Sequence, residues 1–224
     1  MKVYPLGLIN SVDSTGTLCT TGLSYEFFEP NKSCNSNPMY SILKTTYETQ
    51  TILTRKKAEP FILINYSYDD IWDKEYKQIE HFVDEMDGEL TSFYVPDLSS
   101  GESPSTVTDN GSTWTINVGR TRIYSAVLNQ KANYGMVWDG SKFRIGVVSA
   151  VSAGTSITIG ETYGNLTAAN AGAGTVYPMY QCYFSTNPLP NFKPGVFIAD
   201  TVATGEIGGF MKSGDVSFVS KYKV

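Results

Sequence analysis

The hydrophobic and polar positions between residues 55 and 97 follow two rhythms, which predict a strand, a helix and a second strand. Phe61–Tyr66 is a nearly continuous apolar run, as expected of a buried strand, and Leu90–Val95 is rich in strand-forming residues. Between them, apolar residues recur at intervals of four and three, which places them on one face of an α-helix. The predicted helix covers about residues 70–87, and the stripe expected to form the helix–sheet core is Trp72, Tyr76, Ile79, Val83 and Met86.

The two ends of this helix carry their own signals. Ser67, Asp69 or Asp70 is expected to cap the first turn, because short polar side chains accept hydrogen bonds from unpaired N–H groups there. Gly88 is expected to close the helix in the left-handed conformation that glycine adopts readily. The face opposite the apolar stripe is charged and is therefore expected to face solvent.

The rest of the chain is predicted to be strands and turns. Tyr47–Thr54 is partly alternating and is expected to pair with Phe61–Tyr66. Residues 99–112 are rich in Ser, Gly, Pro and Asp and are predicted to be a linker. The fold class is therefore mainly β (α+β): a β-sandwich-like domain, residues 1–98 with 176–224, carries the helix on a sheet, and residues 113–175 form an inserted small β-barrel-like module.

Composition and charge narrow the range of partners. The chain has 224 residues with 20 Gly, 15 Tyr and 11 Phe, its net charge is −5, and its largest basic cluster is residues 55–57. Nucleic acid binding is not expected, because phosphate recognition needs a concentrated positive surface. No apolar run approaches the roughly 20 residues that span a membrane. The first residues lack the apolar core of a secretory signal, so the chain is expected to be made in a cytoplasm.

The residues that carry catalytic or metal chemistry are few. His81 is the single histidine and lies in the middle of the predicted helix, and the HExxH motif of zinc peptidases is absent. Cys19, Cys34 and Cys182 have no CxxC spacing, so free thiols are expected, with a Cys19–Cys34 disulfide as the alternative. The many carboxylates occupy helix-cap and solvated positions. The sequence therefore predicts no enzyme, no cofactor and no metal site.

Several motifs together resemble the distal-tail and minor-tail proteins at the tail tip of tailed bacteriophages. The basic start Arg55-Lys56-Lys57 precedes a strand, and a helix with Glu75, Ile79 and Phe82 follows. Next come a glycine and a strand that ends in an aromatic-x-x-Asp pattern. The similarity covers residues 49–97 well and residues 134–184 more loosely; in the second part it rests on Val137–Gly140 and Gly174–Phe184. Residues 1–45 match nothing in these families.

This resemblance implies a structural virion protein that is assembled in the host cytoplasm and joins the tail tube to the hub or receptor-binding apparatus. Such proteins form rings, usually six-fold, so self-association through unlike surfaces is expected. The strands Tyr47–Thr54 and Val216–Val224 are expected to pair across subunits. Interface candidates are Tyr47, Ile52, Phe93, Tyr94, Phe218 and Tyr222.

Two other hypotheses about the function remain open at this point. The first is a carbohydrate- or receptor-binding β-module of a tail fibre or baseplate, which would bind a host-surface glycan through the inserted module. It requires exposed aromatic rings for sugar stacking, and the candidates are Trp114, Tyr134 and Trp138. The second is a head–tail adaptor or tail terminator, a class that is usually more helical than this chain.

Overall fold

The fold is mainly β, as predicted, and one helix of more than four residues lies on it among the described residues. The structure is a computed structural model that describes residues 2–4, 7–8, 11–12, 18–19, 29–39, 42–46, 51–55, 61–87, 90–128, 131–198 and 209–221. The helices are α1 (Asp73–Glu85) and the single turn α2 (Ala168–Ala171). The strands are β1 (Lys2–Val3), β2 (Gly7–Leu8), β3 (Ser11–Val12), β4 (Leu18–Cys19), β5 (Ser33–Met39), β6 (Ile42–Thr46), β7 (Thr51–Arg55), β8 (Phe61–Ile71), β9 (Phe93–Pro96), β10 (Thr106–Asp109), β11 (Thr113–Asn117), β12 (Tyr134–Trp138), β13 (Phe143–Ser152), β14 (Ser156–Gly164), β15 (Thr175–Phe184), β16 (Lys193–Ile198) and β17 (Gly209–Ser220).

An antiparallel sheet in the order β5-β8-β17-β16 forms the first part of the structure. Lys212 pairs with Ile71 of β8 and with Pro194 of β16, so these two strands lie on opposite edges of β17. Near its other end, β17 pairs with β15 through Phe218 and Phe184. β16 and β15 therefore follow one another along the same edge of β17.

Strand β15 belongs to both parts of the structure. Met179 pairs with Tyr134 of β12 and Pro96 of β9, and Cys182 pairs with Phe93 of β9 and Ser220 of β17. A strand residue has only two edges, so β12 and β17 lie end to end along one edge of β15 and β9 lies along the other. The backbone of β15 thus connects the first sheet to the second.

The second part is a curled antiparallel series in the order β10-β11-β14-β13-β12-β15. Its two ends approach one another, because Glu102, shortly before β10, forms an antiparallel bridge with Val176 of β15. The two backbone hydrogen bonds of this bridge measure 3.0 and 2.9 Å. The segment predicted as a linker, 99–112, therefore contains a strand and closes the curl. Its polar side chains are mostly exposed, which is why it has no apolar periodicity.

A cluster of aromatic rings lies between α1 and the first sheet. Tyr4 is at its centre, with ring centroids 4.8 Å from Phe218 and 5.2 Å from Phe82, and Phe93 lies 4.6 Å from Phe184. All five rings are buried, and they meet edge-on or tilted, as aromatic pairs prefer. This cluster fixes the helix to the sheet.

The helix differs from its prediction at both ends. β8 continues to Ile71, so Ser67, Asp69 and Asp70 lie in the strand and the N-cap is Trp72, whose N–H donates to Glu75 Oε2 at 2.6 Å. As an N-cap, Trp72 does not join the apolar stripe: it is 37% exposed. Ile79, Val83 and Met86 are buried, and Tyr76 is half-buried.

Two predictions about strand pairing are also wrong. Tyr47–Thr54 was expected to pair with Phe61–Tyr66, but β7 pairs with β6, and β8 pairs with β5 and β17. The strand at the C-terminal end of the described chain is β17, which is an interior strand and not an open edge. In both cases the apolar pattern gave the strand, but pairing between distant segments is not encoded in that pattern.

Asp87 takes the left-handed conformation that was expected for Gly88, with φ of 50°. A side chain at this φ is strained, and a negative charge at a helix C-terminus is unfavourable. We expect Asp87→Gly to raise the free energy of unfolding by about 0.5–1 kcal/mol, measured by urea denaturation. Asp87→Asn is the matched control, because it removes the charge and keeps the Cβ. Equal stability of the two variants would contradict the backbone explanation.

Phe218 and Phe210 lie on the same face of β17 and provide a test of the aromatic cluster. Phe218 is fully buried and Phe210 is exposed. We expect Phe218→Ala to lower the free energy of unfolding of the monomer by about 3–5 kcal/mol, because it opens a cavity in the cluster. Phe210→Ala is expected to cost about 1 kcal/mol or less. Similar losses in the two variants would mean that the cluster does not hold the helix on the sheet.

Candidate interaction surface

The placements of the histidine and of two of the three cysteines are described first, because these side chains most often carry catalysis and metal binding. His81 is exposed on α1, and no group of three or more His, Cys, Asp and Glu side chains is placed to hold a metal within the described ranges. Cys34 and Cys182 are free thiols. Burial raises the pKa of Cys34 to about 12 and raises that of Cys182 well above its usual value. Both thiols are therefore protonated at neutral pH and are poor nucleophiles.

Of the three aromatic residues proposed for sugar stacking, two are buried and the third is half-buried. Trp114 is 2% exposed and Trp138 is 8% exposed. The guanidinium of Arg144 lies 4.7 Å from the centre of a Trp114 ring. Tyr134 is half-buried and its ring packs 4.4 Å from that of Tyr94. Since stacking on a sugar needs a free ring face, the prediction of an exposed aromatic platform at these residues is wrong.

The interface candidates are placed differently from one another. Phe93 and Phe218 belong to the buried cluster, so they are wrong as surface candidates, and Tyr94 is half-buried against Tyr134. Ile52 lies in β7, of which only the backbone is described. Tyr47 and Tyr222 lie outside the described residues.

The most prominent exposed aromatic pair is at the end of the β16–β17 hairpin. Phe197 and Phe210 are directly opposite one another in the register and their ring centroids are 5.1 Å apart. They are 59% and 53% exposed. Large apolar side chains paired on a protein surface are typical of contact sites.

This pair continues the core face of β17. Residues two apart in a strand share a face, so Phe210, Lys212, Gly214, Val216 and Phe218 all point to the side on which α1 packs. Val216 and Phe218 are buried, and above Gly214 a Cβ would lie 2.8 Å from the Phe192 ring. Only glycine allows that ring to rest on the strand. From Gly214 toward Phe210, the same face of β17 becomes exposed.

A charged contact marks the boundary between the covered and uncovered parts of this face. Lys212 Nζ lies 3.3 Å from the centre of the Tyr76 ring and 3.8 Å from Asp73 Oδ1. Asp73 Oδ2 also binds Lys77 Nζ at 2.6 Å, and this bond lowers the pKa of the Asp73 carboxyl. The first turn of α1 therefore covers β17 as far as Lys212.

The sheet β5-β8-β17-β16 has two unlike outer edges. Within the described ranges, no strand pairs with the outer edge of β5 or of β16. Asn35 and Asn37 are exposed on β5, and Lys193 and Phe197 are exposed on β16. Each edge contains one proline, Pro38 or Pro194, which cannot donate a backbone hydrogen bond. Both edges offer unpaired backbone groups over short stretches only.

Sequence reasoning missed this surface because it depends on long-range pairing. Phe197 and Phe210 are separated in the chain by a segment that contains Gly205, Gly208 and Gly209. The available signal was the placement of a phenylalanine on each side of that glycine-containing segment, which is typical of a hairpin.

Comparison of the chain with protein-family models and with curated protein sequences found no match to either.

Proposed function

We propose that this chain is a structural subunit of a bacteriophage tail tip, which assembles with copies of itself into a ring between the tail tube and the tip proteins. The sequence resemblance over residues 49–97 and 134–184 supports the setting. The observation that carries self-assembly is the pair of unlike outer edges, β5 and β16, on one sheet. A six-membered ring in the virion tail, assembled in the host cytoplasm, is the form that the resemblance implies.

Unlike edges on opposite sides of a sheet suit a head-to-tail interface. When a patch on one copy binds a different patch on the next, the same contact repeats from copy to copy, and the copies form a ring where the repeated rotation closes on itself and an open filament where it does not. The outer edge of β16 in one copy would pair with the outer edge of β5 in its neighbour. Pairing of this kind satisfies backbone groups that would otherwise promote uncontrolled aggregation.

The exposed Phe197–Phe210 pair supplies an apolar anchor beside that edge. Interfaces gain most of their binding free energy from a few large side chains that become fully desolvated, and aromatic residues are frequent among them. Phe197 belongs to β16 and Phe210 to the neighbouring β17, so pairing of β16 with another copy would bury these two aromatic rings at the same time.

The mass of the purified full-length chain in solution tests this proposal most directly. We expect light scattering coupled to size-exclusion chromatography to give a discrete oligomer, and negative-stain images of that peak to contain rings with a central hole. A chain that remains monomeric at the highest attainable concentration would contradict self-assembly. A particle without a hole would contradict the ring.

Substitution of the aromatic pair tests which surface forms the contact. The double variant Phe197→Ser/Phe210→Ser is expected to raise the subunit dissociation constant at least about 30-fold, because two anchors are lost. Val127→Ser/Leu128→Ser is the matched control, since it removes two exposed apolar side chains from the curled sheet instead. Sedimentation velocity across a concentration series measures the subunit dissociation constant of each double variant. Equal effects of the two double variants would show that the contact lies elsewhere.

A further inference from the structure

A pocket of about 490 Å³ lies at the end of the curled sheet where β13 turns into β14, and neither Phe197 nor Phe210 lines it. It is formed by the 3-10 turn Thr121–Ile123 with the two residues before it, and by the turn that connects β13 to β14. Its lining residues are Gly119, Arg120, Arg122, Ile123, Ala153 and Gly154. The volume falls within the range of small-molecule sites and is much larger than a single phosphate ion needs.

Hydrogen bonds hold the two walls of this pocket together. The buried Thr121 hydroxyl accepts the N–H of Gly154 at 2.6 Å, and Val118 N–H donates to the carbonyl of Thr155 at 3.1 Å. Gly154 has φ of 69°, which allows the turn to bend toward Thr121. Ala132 N–H donates to the Ile123 carbonyl at 3.0 Å. The pocket is thus preformed by these hydrogen bonds.

The charge in the pocket comes from two arginines. Arg120 and Arg122 are exposed, and their guanidinium groups make no hydrogen bond or ion pair with any residue that the structure describes. Glu102 lies at the same loop, but its two carboxylate oxygens accept the N–H groups of Gly119 and Arg120 at 2.6 and 2.9 Å. That carboxylate fixes the loop, and the two cationic side chains remain available to a ligand.

We infer that this pocket binds a small organic anion of about the size of a monosaccharide, whose phosphate or carboxylate group lies between Arg120 and Arg122. Guanidinium groups bind both kinds of oxyanion through paired, charge-assisted hydrogen bonds. Ile123 and Ala153 provide an apolar wall for the neutral body of the ligand. The inference does not depend on ring assembly, because the pocket lies within one chain.

Titration of the full-length protein with defined probes tests the inference. Glucose 6-phosphate and glucuronate represent the two anionic groups, glucose is the neutral control, and inorganic phosphate is the anion without a body. We expect calorimetry to detect binding of at least one sugar anion, weaker binding of inorganic phosphate, no binding of glucose, and weakening with added salt. Absence of binding by both sugar anions would overturn the inference. If inorganic phosphate bound as tightly as the sugar anions, the claim that the ligand has an organic body would be wrong.

Single substitutions localise the site. Arg120→Gln and Arg122→Gln are each expected to weaken binding of the sugar anion at least tenfold. The affinity of Arg122→Lys is expected to lie between those of the unchanged protein and Arg122→Gln, because lysine keeps the charge but not the paired donors. Lys142→Gln is the matched control: it removes an exposed cation of the same module outside the pocket and is expected to leave binding unchanged. Unaltered binding in both arginine variants would contradict the assignment. Far-ultraviolet circular dichroism confirms that each variant is folded.

Discussion

The difference in length between α1 and β17 determines which part of this protein is core and which part is surface. The helix has 13 residues and the strand has 12, but a helix rises about 1.5 Å per residue and a strand about 3.3 Å. The helix is therefore about 20 Å long and the strand about 40 Å. One helix covers about half of the apolar face of the strand. Phe218 is in the covered half and Phe210 is beyond it, although both follow the same alternation.

The shared strand β15 explains why the curled sheet and the first sheet cannot be described as simply linked domains. β12 occupies the first half of one edge of β15 and β17 occupies the second half. A shift of β15 by one residue would move Val176, Tyr180 and Cys182 from the core to the opposite face. The large core that spans both sheets therefore depends on this one register. The bridge between Glu102 and Val176 adds a third constraint on the same strand.

The local elements could be predicted from the sequence, and their environments could not. The three-four spacing gave the helix because periodicity is a property of neighbouring residues, and Ile79, Val83 and Met86 are indeed buried. Trp72 fits the same spacing but lies one residue before the helix begins, where the chain leaves β8. Trp114 and Trp138 were expected on the surface, but Trp114 is buried in the large core and Trp138 in a second cluster on the other face of the sheet.

The candidate surfaces show the same limit more clearly. Phe197 and Phe210 are 13 residues apart in the chain and become a pair only through the β16–β17 register. The net charge of −5 correctly describes the chain as acidic, yet a net charge averages over the surface and says nothing of two arginines held at one pocket. Recognition of small anions depends on the local geometry of donors more than on total charge. The proposed anion site therefore rests on the local positions of Arg120 and Arg122, which total charge does not describe.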